Sequence, residues 1–320
     1  DYYLIVDTGS TDNTKKIIEE TMKGHDIPGK VIDHKWKNFA DARNRALKEI
    51  EGHTDWVFWL DSDETLEIGE KFNKEQLFKE LKGFESADSE VIYGLSKYTR
   101  CQWLINDGTL KWTGAVHEIP SVTREGGMVS NITTHVSTSG ASWGDGSKET
   151  VKKKYEEHAR LLLDYVKEDD NPRWVFYLAQ SYRDADMLEE AIVWYRKRVE
   201  LEGYWEERYY SQLMVGVLLA RLNASKDERL VELQKCAMLD PYRADHFLEM
   251  MIIYQSQKNW PMAYAVGNYA IEHCSANPFP KSRLFLNPAV WELGLVDIHS
   301  ITVSYLGKIY ELKIVHLLYQ

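Results

Sequence analysis

The first part of the chain alternates short apolar runs with polar turns and amphipathic segments. Residues 1–6 predict a strand, and residues 15–23 follow with apolar side chains at helical spacing. Val31 and Ile32 mark a second short strand, and residues 36–50 predict a second helix. Because a strand, a polar turn and a helix make half of a nucleotide-binding unit, this order predicts an α/β domain.

The apolar run Trp-Val-Phe-Trp-Leu occupies residues 56–60, and Asp61, Ser62 and Asp63 follow it directly. A continuous apolar run predicts a strand that is buried on both faces. In an α/β sheet, such a strand delivers the residues at its carboxyl end into a ligand crevice. Two carboxylates one residue apart suit a divalent cation that carries phosphate, although capping of a following helix is the alternative.

The turn after the first strand is polar and small. Asp7 stands at the carboxyl end of this strand, where its carboxylate can accept from a ring N–H of a pyrimidine base. Backbone N–H groups in such a turn, at the start of a helix, attract phosphate or carbonyl oxygens. Ordinary helix capping is the alternative interpretation for Ser10, Thr11 and Asp12, and it is less natural for Asp7.

Further elements are predicted before residue 150. They are a helix at 75–82, a strand at 91–101 with a hairpin-type turn at Gly108, a strand at 129–135, and a Gly- and Ser-rich linker at 137–147.

Four polar residues of this region have both a structural and a functional interpretation. Arg43 is either a solvated helix residue or a side chain directed to the ligand crevice. The pair His117 and Glu118 follows a strand-like segment, with a loop ion pair or a helix start as the structural alternatives. His135 ends the strand at 129–135, and it is either a structural histidine or a metal ligand.

From Thr150 onward the pattern predicts helices only, with an internal repeat. Tyr182 and Tyr254 are 72 residues apart, as are Ala191 and Ala263, which corresponds to two periods of about 36. This spacing is typical of tetratricopeptide-like helix pairs, in which the small residues are core positions. Residues 304–318 predict one more, incomplete unit.

Composition narrows the function further. With 320 residues, 44% of them hydrophobic and 28% charged, the chain is long enough for two globular domains. Its net charge of −11 argues against nucleic acid as the main partner, because Lys and Arg carry that binding. No apolar run approaches the length of a membrane helix. The three cysteines form no framework, which favours a reducing, cytoplasmic location.

Taken together, these motifs resemble those of family-two, inverting glycosyltransferases of the GT-A fold that are fused to tetratricopeptide-like repeats. The resemblance is carried by residues 6–14, 38–44, 59–64 and 114–118 and by the strand into His135, which occur in the order of the family. It implies an α/β GT-A (Rossmann-like) catalytic domain over residues 1–147. An all-α repeat domain over residues 148–320 would follow.

The resemblance also implies an activity: transfer of a sugar from a nucleotide-diphosphate-sugar donor to a glycan, a peptide or another acceptor. A UDP-sugar is favoured, with a GDP-sugar as the alternative. The implied donor-binding residues are Asp7, Thr8, Arg43 and Asp61. The implied ligands of Mn²⁺ or Mg²⁺ are Asp63 and His135, with His117 as the weaker alternative. Inversion requires a base that deprotonates the acceptor. Glu118 is the expected base, although many relatives have Asp there.

One departure from the family pattern concerns the start of the chain, since a further strand normally precedes the segment at 6–14. Two other functions compete with glycosyl transfer. A non-catalytic repeat scaffold with a degenerate sugar-nucleotide domain is the first. A nucleotidyltransferase is the second, but the N-terminal region lacks the Gly-rich, basic loop that would hold a triphosphate. We expect the repeats to bind the acceptor or to mediate dimerisation, since stacked helix pairs build a concave groove.

Overall fold

The computed structural model describes residues 2–124, 126–137, 146–275, 284–286 and 290–308. The chain divides into two compact units, Asp1–Tyr165 and Val166–Gln320. No helix within these described ranges is long and apolar enough to cross a membrane.

The first unit mixes strands and helices in the order that the hydrophobic pattern predicts. Its elements are β1 (Tyr3–Asp7), α1 (Thr14–Gly24), β2 (Gly29–Asp33), α2 (Phe39–Ile50), β3 (Trp56–Phe58), β4 (Glu64–Ile68), α3 (Lys74–Leu81), β5 (Ser86–Tyr93), β6 (Ser96–Ile105), β7 (Trp112–Thr113), β8 (Ile119–Pro120), β9 (Gly127–Val136) and α4 (Lys148–Val166).

The strands of this unit form three sheets. β1 and β2 pair in parallel, joined by α1 as the crossover, and α2 packs against β1. The largest sheet has five strands in the order β3-β6-β5-β9-β4, and only its β5–β9 pair is parallel. β7 and β8 form a short antiparallel ribbon. The predicted α/β class is confirmed, with a mixed sheet rather than a purely parallel one.

Among the described residues of this unit, two small apolar cores hold these layers together. Leu81, Ala87 and Trp103 pack with Val129 and Ile132, and α3 covers this side of the large sheet. The second core joins α2 to the sheet and the ribbon, since Ala40 packs with Leu104 and Trp112.

The predicted single strand at 91–101 is wrong, because the structure has a hairpin there. β5 ends at Tyr93 and β6 begins at Ser96, with Gly94 at a φ of 58° between them. Leu95 lies fully exposed at the tip of this turn. Glycine adopts that conformation without steric cost, so Gly94, and not Gly108, makes the hairpin.

The strand expected at 56–60 is shorter and less covered than predicted. β3 spans only Trp56–Phe58 and lies at the edge of the five-stranded sheet, and its residues are half-buried. Leu60 is exposed. An edge strand has one hydrogen-bonded neighbour only, so this run is less enclosed than it would be in a central strand.

The second unit contains helices only, within the ranges described. They are α5 (Pro172–Asp184), α6 (Leu188–Glu200), α7 (Trp205–Arg221), α8 (Lys226–Leu239), α9 (Asp245–Ser256), α10 (Trp260–Ser275) and α11 (Leu295–Tyr305), the last preceded by a π-helical turn at Val290–Gly294. Each helix from α5 to α10 packs against the next one along the chain. Caps define several starts; for example, the Ser225 side chain accepts from the N–H of Glu228.

The residues that predicted the repeat occupy equivalent places in this unit. Tyr182 on α5 and Tyr254 on α9 are buried, and Ala191 on α6 and Ala263 on α10 are fully buried. Small residues at the two alanine positions let paired helices approach closely. The prediction of tetratricopeptide-like helix pairs is confirmed.

The structure draws the division between the units at a different place from the sequence. The sequence placed it between residues 147 and 148, whereas α4 belongs almost entirely to the first unit. The predicted linker at 137–147 lies largely outside the described residues, as do residues 309–318 of the predicted last repeat.

Candidate active site

Asp7 shapes the turn after β1 with one of its two carboxylate oxygens. Its Oδ1 accepts from the backbone N–H groups of Gly9 and Ser10, both at 2.8 Å. These two hydrogen bonds lower the pKa of the Asp7 carboxyl below its usual value. Its Oδ2 is buried and has no hydrogen-bond partner in the described part of the chain. Thr8, next in the turn, is exposed.

The carboxyl end of β1 is tied to the start of α2. The N–H of His34 donates to the Asp7 carbonyl at 2.9 Å, and His34 Nε2 lies 2.6 Å from an oxygen of Asp41. Asn38 caps α2 by accepting from the N–H of Asp41 at 2.8 Å. These contacts place the first turn of α2, and hence Arg43, beside the strand end that carries Asp7.

Arg43 joins two residues that are distant in sequence. Its Nη2 donates to Asp61 Oδ1 at 2.8 Å, and its Nε donates to Glu118 Oε1 at 2.6 Å. The guanidinium also lies 4.0 Å from the ring centroid of Trp59 and 4.9 Å from that of Trp112. Arg43 is therefore a junction between carboxylates and aromatic faces, a role for which the planar guanidinium is suited.

A second arginine fixes the loop that contains the two aspartates. The N–H of Glu64 donates to the Asp61 carbonyl, while the Glu64 carboxylate accepts from the N–H of Asp61 at 3.0 Å. Glu64 is buried and makes a two-point ion pair with Arg100, whose guanidinium also lies over the Trp59 ring at 4.5 Å. The loop thus has a fixed conformation in which the Asp61 side chain is partly exposed.

Asp63 lies where the β4–β9 ladder begins, and the ladder explains the position of His135. The Asp63 carbonyl accepts from the N–H of Ser137 at 3.1 Å, one step beyond the last paired residues. Thr65 is directly opposite His135, so Glu67 is a diagonal neighbour of His135 on the same face, while Asp63 lies in the turn just before β4. His135 Nε2 contacts Glu67 at 2.7 Å.

The long helix α4 lies against the segment that leads to Glu118. Tyr165 Oη accepts from the N–H of Gly114 at 3.0 Å. The ring of His158 meets the rings of His117 and Phe39 edge-on, at 6.4 Å in each case. Burial lowers the pKa of His158 to about 4, which keeps the imidazole neutral at pH 7.

Lys154 on α4 interacts electrostatically with Asp63. Burial lowers the pKa of its ammonium, and the negative charge of Asp63 acts in the opposite direction.

The described residues suit only one of the usual binding modes of a divalent cation. No group of three or more His, Cys, Asp or Glu side chains is arranged to hold a metal within the ranges described. Mg²⁺, however, is commonly held by one or two carboxylates together with the phosphates of its substrate. The carboxylate of Asp63, at the end of the Asp-x-Asp loop, fits that mode.

The structure brings Arg43, Asp61 and Glu118 into one hydrogen-bonded cluster. Asp63 belongs to the same loop as Asp61, whereas His135 contacts Glu67 and His117 faces His158. Sequence reasoning missed several residues of the cluster. They are Trp59, Glu64, Arg100, Trp112 and, on α4, Lys154 and His158. Their types carried no signal of their own, because aromatic and charged residues at such spacings have ordinary structural roles.

Comparison with known proteins identifies this region. Residues 2–93 match the model of glycosyl transferase family 2. The chain therefore carries a glycosyl transferase family 2 domain at its N-terminus. The matched segment includes Asp7, Arg43, Asp61 and Asp63, whereas Glu118 and His135 lie beyond it.

Two curated proteins are similar over a longer stretch. They are the SPbeta prophage-derived glycosyltransferase SunS of Bacillus subtilis (strain 168) and glycosyltransferase SunS of Bacillus phage SPbeta. Each is 26% identical over 262 residues, which covers 75% of this chain and 59% of the relative. The chain thus spans about three fifths of the length of these relatives.

Solved structures similar to this chain include repeat proteins. A crystal structure of MamA covers 53% of this chain at 17% identity and a TM-score of 0.39, with 89% of MamA aligned. YrrB, described as a TPR protein with an unusual peptide-binding site, covers 52% at 12% identity and a TM-score of 0.35, with 82% of YrrB aligned.

Proposed function

We propose that this protein is an inverting, metal-dependent glycosyltransferase that moves a sugar from a nucleotide-diphosphate-sugar to an acceptor. The favoured donor is a UDP-sugar. The observation that carries the proposal is the cluster in which Arg43 bonds both Asp61 and Glu118. The glycosyl transferase family 2 domain supports the same reaction class. A GDP-sugar is the alternative donor.

The N-terminal turn supplies the nucleotide contacts in this proposal. The Asp7 Oδ2 atom, buried without a partner in the described chain, accepts from a ring N–H of the base. An unsatisfied buried acceptor costs free energy, which a ligand donor recovers on binding. Thr8 offers an exposed hydroxyl beside it. Arg43 and Asp61 then hold the ribose and donor-sugar side of the ligand.

Asp63 is the residue that would hold Mn²⁺ or Mg²⁺ together with the diphosphate of the donor. When bound, such an ion stabilises the negative charge that develops on the leaving diphosphate. His135 is a second ligand only if its ring turns away from Glu67 and towards Asp63. His117 is the weaker alternative, since its ring faces His158.

Glu118 is the base in this proposal. Its carboxylate is largely buried, and Arg43 Nε fixes one of its oxygens. The other oxygen takes the proton of the acceptor nucleophile as that nucleophile forms its bond to the anomeric carbon. The bond to the diphosphate breaks on the opposite face of the sugar, so the configuration inverts.

The helical unit is proposed to bind the acceptor or to mediate dimerisation, because stacked helix pairs offer a concave surface. The acceptor is a glycan, a peptide or another nucleophile. A non-catalytic scaffold remains the competing function.

Release of UDP or GDP from a panel of sugar nucleotides with Mn²⁺ tests the proposal. We expect the protein to release nucleotide from at least one donor and Asp63→Ala to lose the response to metal. Glu118→Gln should lower turnover with acceptor by about 10²- to 10⁴-fold while nucleotide binding persists. Glu19→Gln, on the exposed side of α1, is the matched control. Neither binding nor release across the panel would favour the scaffold.

A further inference from the structure

The helix α4 is part of the candidate active-site unit and not of the repeats. Near its end, the Tyr165 hydroxyl accepts from the N–H of Gly114, four residues before Glu118. In its middle, His158 packs edge-on against His117 and Phe39. α4 is thereby held at two points along the segment that leads to the proposed base.

Lys154 lies on the side of α4 that also contains His158. Lys154 is four residues before His158, and residues at this spacing lie on the same side of a helix. Lys154 is partly buried and interacts electrostatically with Asp63 of the Asp-x-Asp loop. Its neighbours Lys152 and Lys153 form ion pairs with Glu156 and Glu149 along the helix surface.

The charges of the site favour a cationic group at this place. The two arginines of the cluster are already engaged, Arg43 with Asp61 and Glu118, and Arg100 with Glu64. A diphosphate brought beside these carboxylates would add further negative charge. An ammonium group on a flexible stem is well suited to phosphate, because it acts as a point charge with three donors.

We propose that Lys154 binds a phosphate oxygen of the donor's diphosphate, so that α4 completes the donor site of the first unit. This inference rests on the proposed function, because it assumes that a nucleotide diphosphate binds beside Asp63. In the ligand-free protein, the negative charge of Asp63 acts on this ammonium. On binding, the ammonium donates to the ligand and adds to the affinity for the diphosphate part only.

Calorimetric titration tests the proposal. UDP and uridine are titrated in the presence and in the absence of Mn²⁺. GDP and guanosine form a second pair of probes. Lys154→Ala should weaken binding of the nucleoside diphosphate about tenfold, since a hydrogen bond to a charged group is lost. Binding of the nucleoside should stay within about twofold, because it makes no phosphate contact. Lys154→Arg should recover much of the loss, as it restores the charge.

Lys153→Ala is the matched control, since this lysine is exposed on the same helix and pairs with Glu149. It should bind both probes as the parent protein does. Equal binding of UDP by the parent and by Lys154→Ala would overturn the role of Lys154 and leave the proposed function standing. Equal weakening of nucleoside and nucleoside diphosphate would also overturn it, since that result indicates a structural role. Failure of the parent protein to bind either diphosphate would instead contradict the proposed function itself.

Discussion

Asn44 on α2 and Trp112 on β7 are joined by two hydrogen bonds that use both ends of the Asn44 amide. Asn44 Nδ2 donates to the Trp112 carbonyl at 2.8 Å, and the Trp112 N–H donates to Asn44 Oδ1 at 2.7 Å. The side chain thus takes the place of a neighbouring strand for one residue of β7. Because Arg43 precedes Asn44 and lies over the Trp112 ring, this pair also sets the position of the guanidinium.

Replacement of Asn44 should therefore cost stability as well as activity. Asn44→Ala leaves the two backbone groups of a buried residue unpaired, so we expect the free energy of unfolding to fall by about 2 kcal/mol. Urea denaturation measures this change. Lys48→Ala, on the exposed side of the same helix, should stay within about 0.5 kcal/mol of the parent protein. Equal stability of the two variants would show that the Asn44 pair is not a structural determinant.

Arg43→Lys tests the junction between the carboxylates. A lysine keeps the charge but cannot hold Asp61 and Glu118 in a fixed fork while covering the Trp59 ring. We expect kcat/KM for glycosyl transfer to fall by at least about tenfold, which corresponds to the loss of one charged hydrogen bond. Arg45→Lys, on the same helix and paired with Glu49, is the control. If kcat/KM of the Arg43→Lys variant stayed within twofold of the parent value, the Arg43 junction would have no part in the mechanism.

The contact between His135 and Glu67 makes the proposed role of His135 as a metal ligand testable. Glu67→Gln weakens the partner that holds the ring in the present structure, so the Mn²⁺ concentration for half-maximal activity should fall. His135→Ala should raise that concentration, because one ligand is lost. Titration of activity with Mn²⁺ measures both effects. Unchanged metal responses in both variants would assign His135 to the β4–β9 ladder alone.

His246 should make the helical unit sensitive to acid. Burial lowers the pKa of this histidine to about 3, with Arg243 acting in the same direction, whereas an unfolded histidine has a pKa of about 6.5. The unfolded chain therefore binds the extra proton between these values. The contribution of His246 to stability is present above pH 6.5 and is lost as the pH falls towards 3, by up to about 1.4 kcal/mol per pH unit.

The free energy of unfolding from urea titrations at pH 7, 6 and 5 measures this slope. His246→Asn keeps a polar partner for the Tyr209 hydroxyl but removes the titrating ring, so its slope should be smaller. His25→Asn, at an exposed position, should retain the slope of the parent protein. Identical slopes in all three proteins would contradict the assignment to His246.

Much of the fold is predictable from local pattern. The repeat positions Ala191 and Ala263 are fully buried, because small residues at a fixed period have a single structural use. The hairpin at Gly94 was missed, since the residues on both sides of it continue one apolar pattern. The boundary at α4 was also placed differently, because a helix between two domains shows no sign in its own sequence of the domain against which it packs.

Sequence motifs single out several residues of the candidate site. Asp7 and the pair Asp61 and Asp63 follow predicted strands, and the bond between Arg43 and Glu118 links two predicted residues. The electrostatic interaction of Lys154 with Asp63 could not be predicted, since it depends on the docking of α4 and not on any pattern around Lys154. The same holds for Trp59, which shares its ring with two arginines.

A crystal structure of the protein with UDP and Mn²⁺ tests the central claim most directly. We predict that the base contacts Asp7 Oδ2, that the diphosphate lies between Asp63 and Lys154, and that the cation binds the Asp63 carboxylate. A nucleotide bound elsewhere, or a cation away from Asp63, would contradict the account.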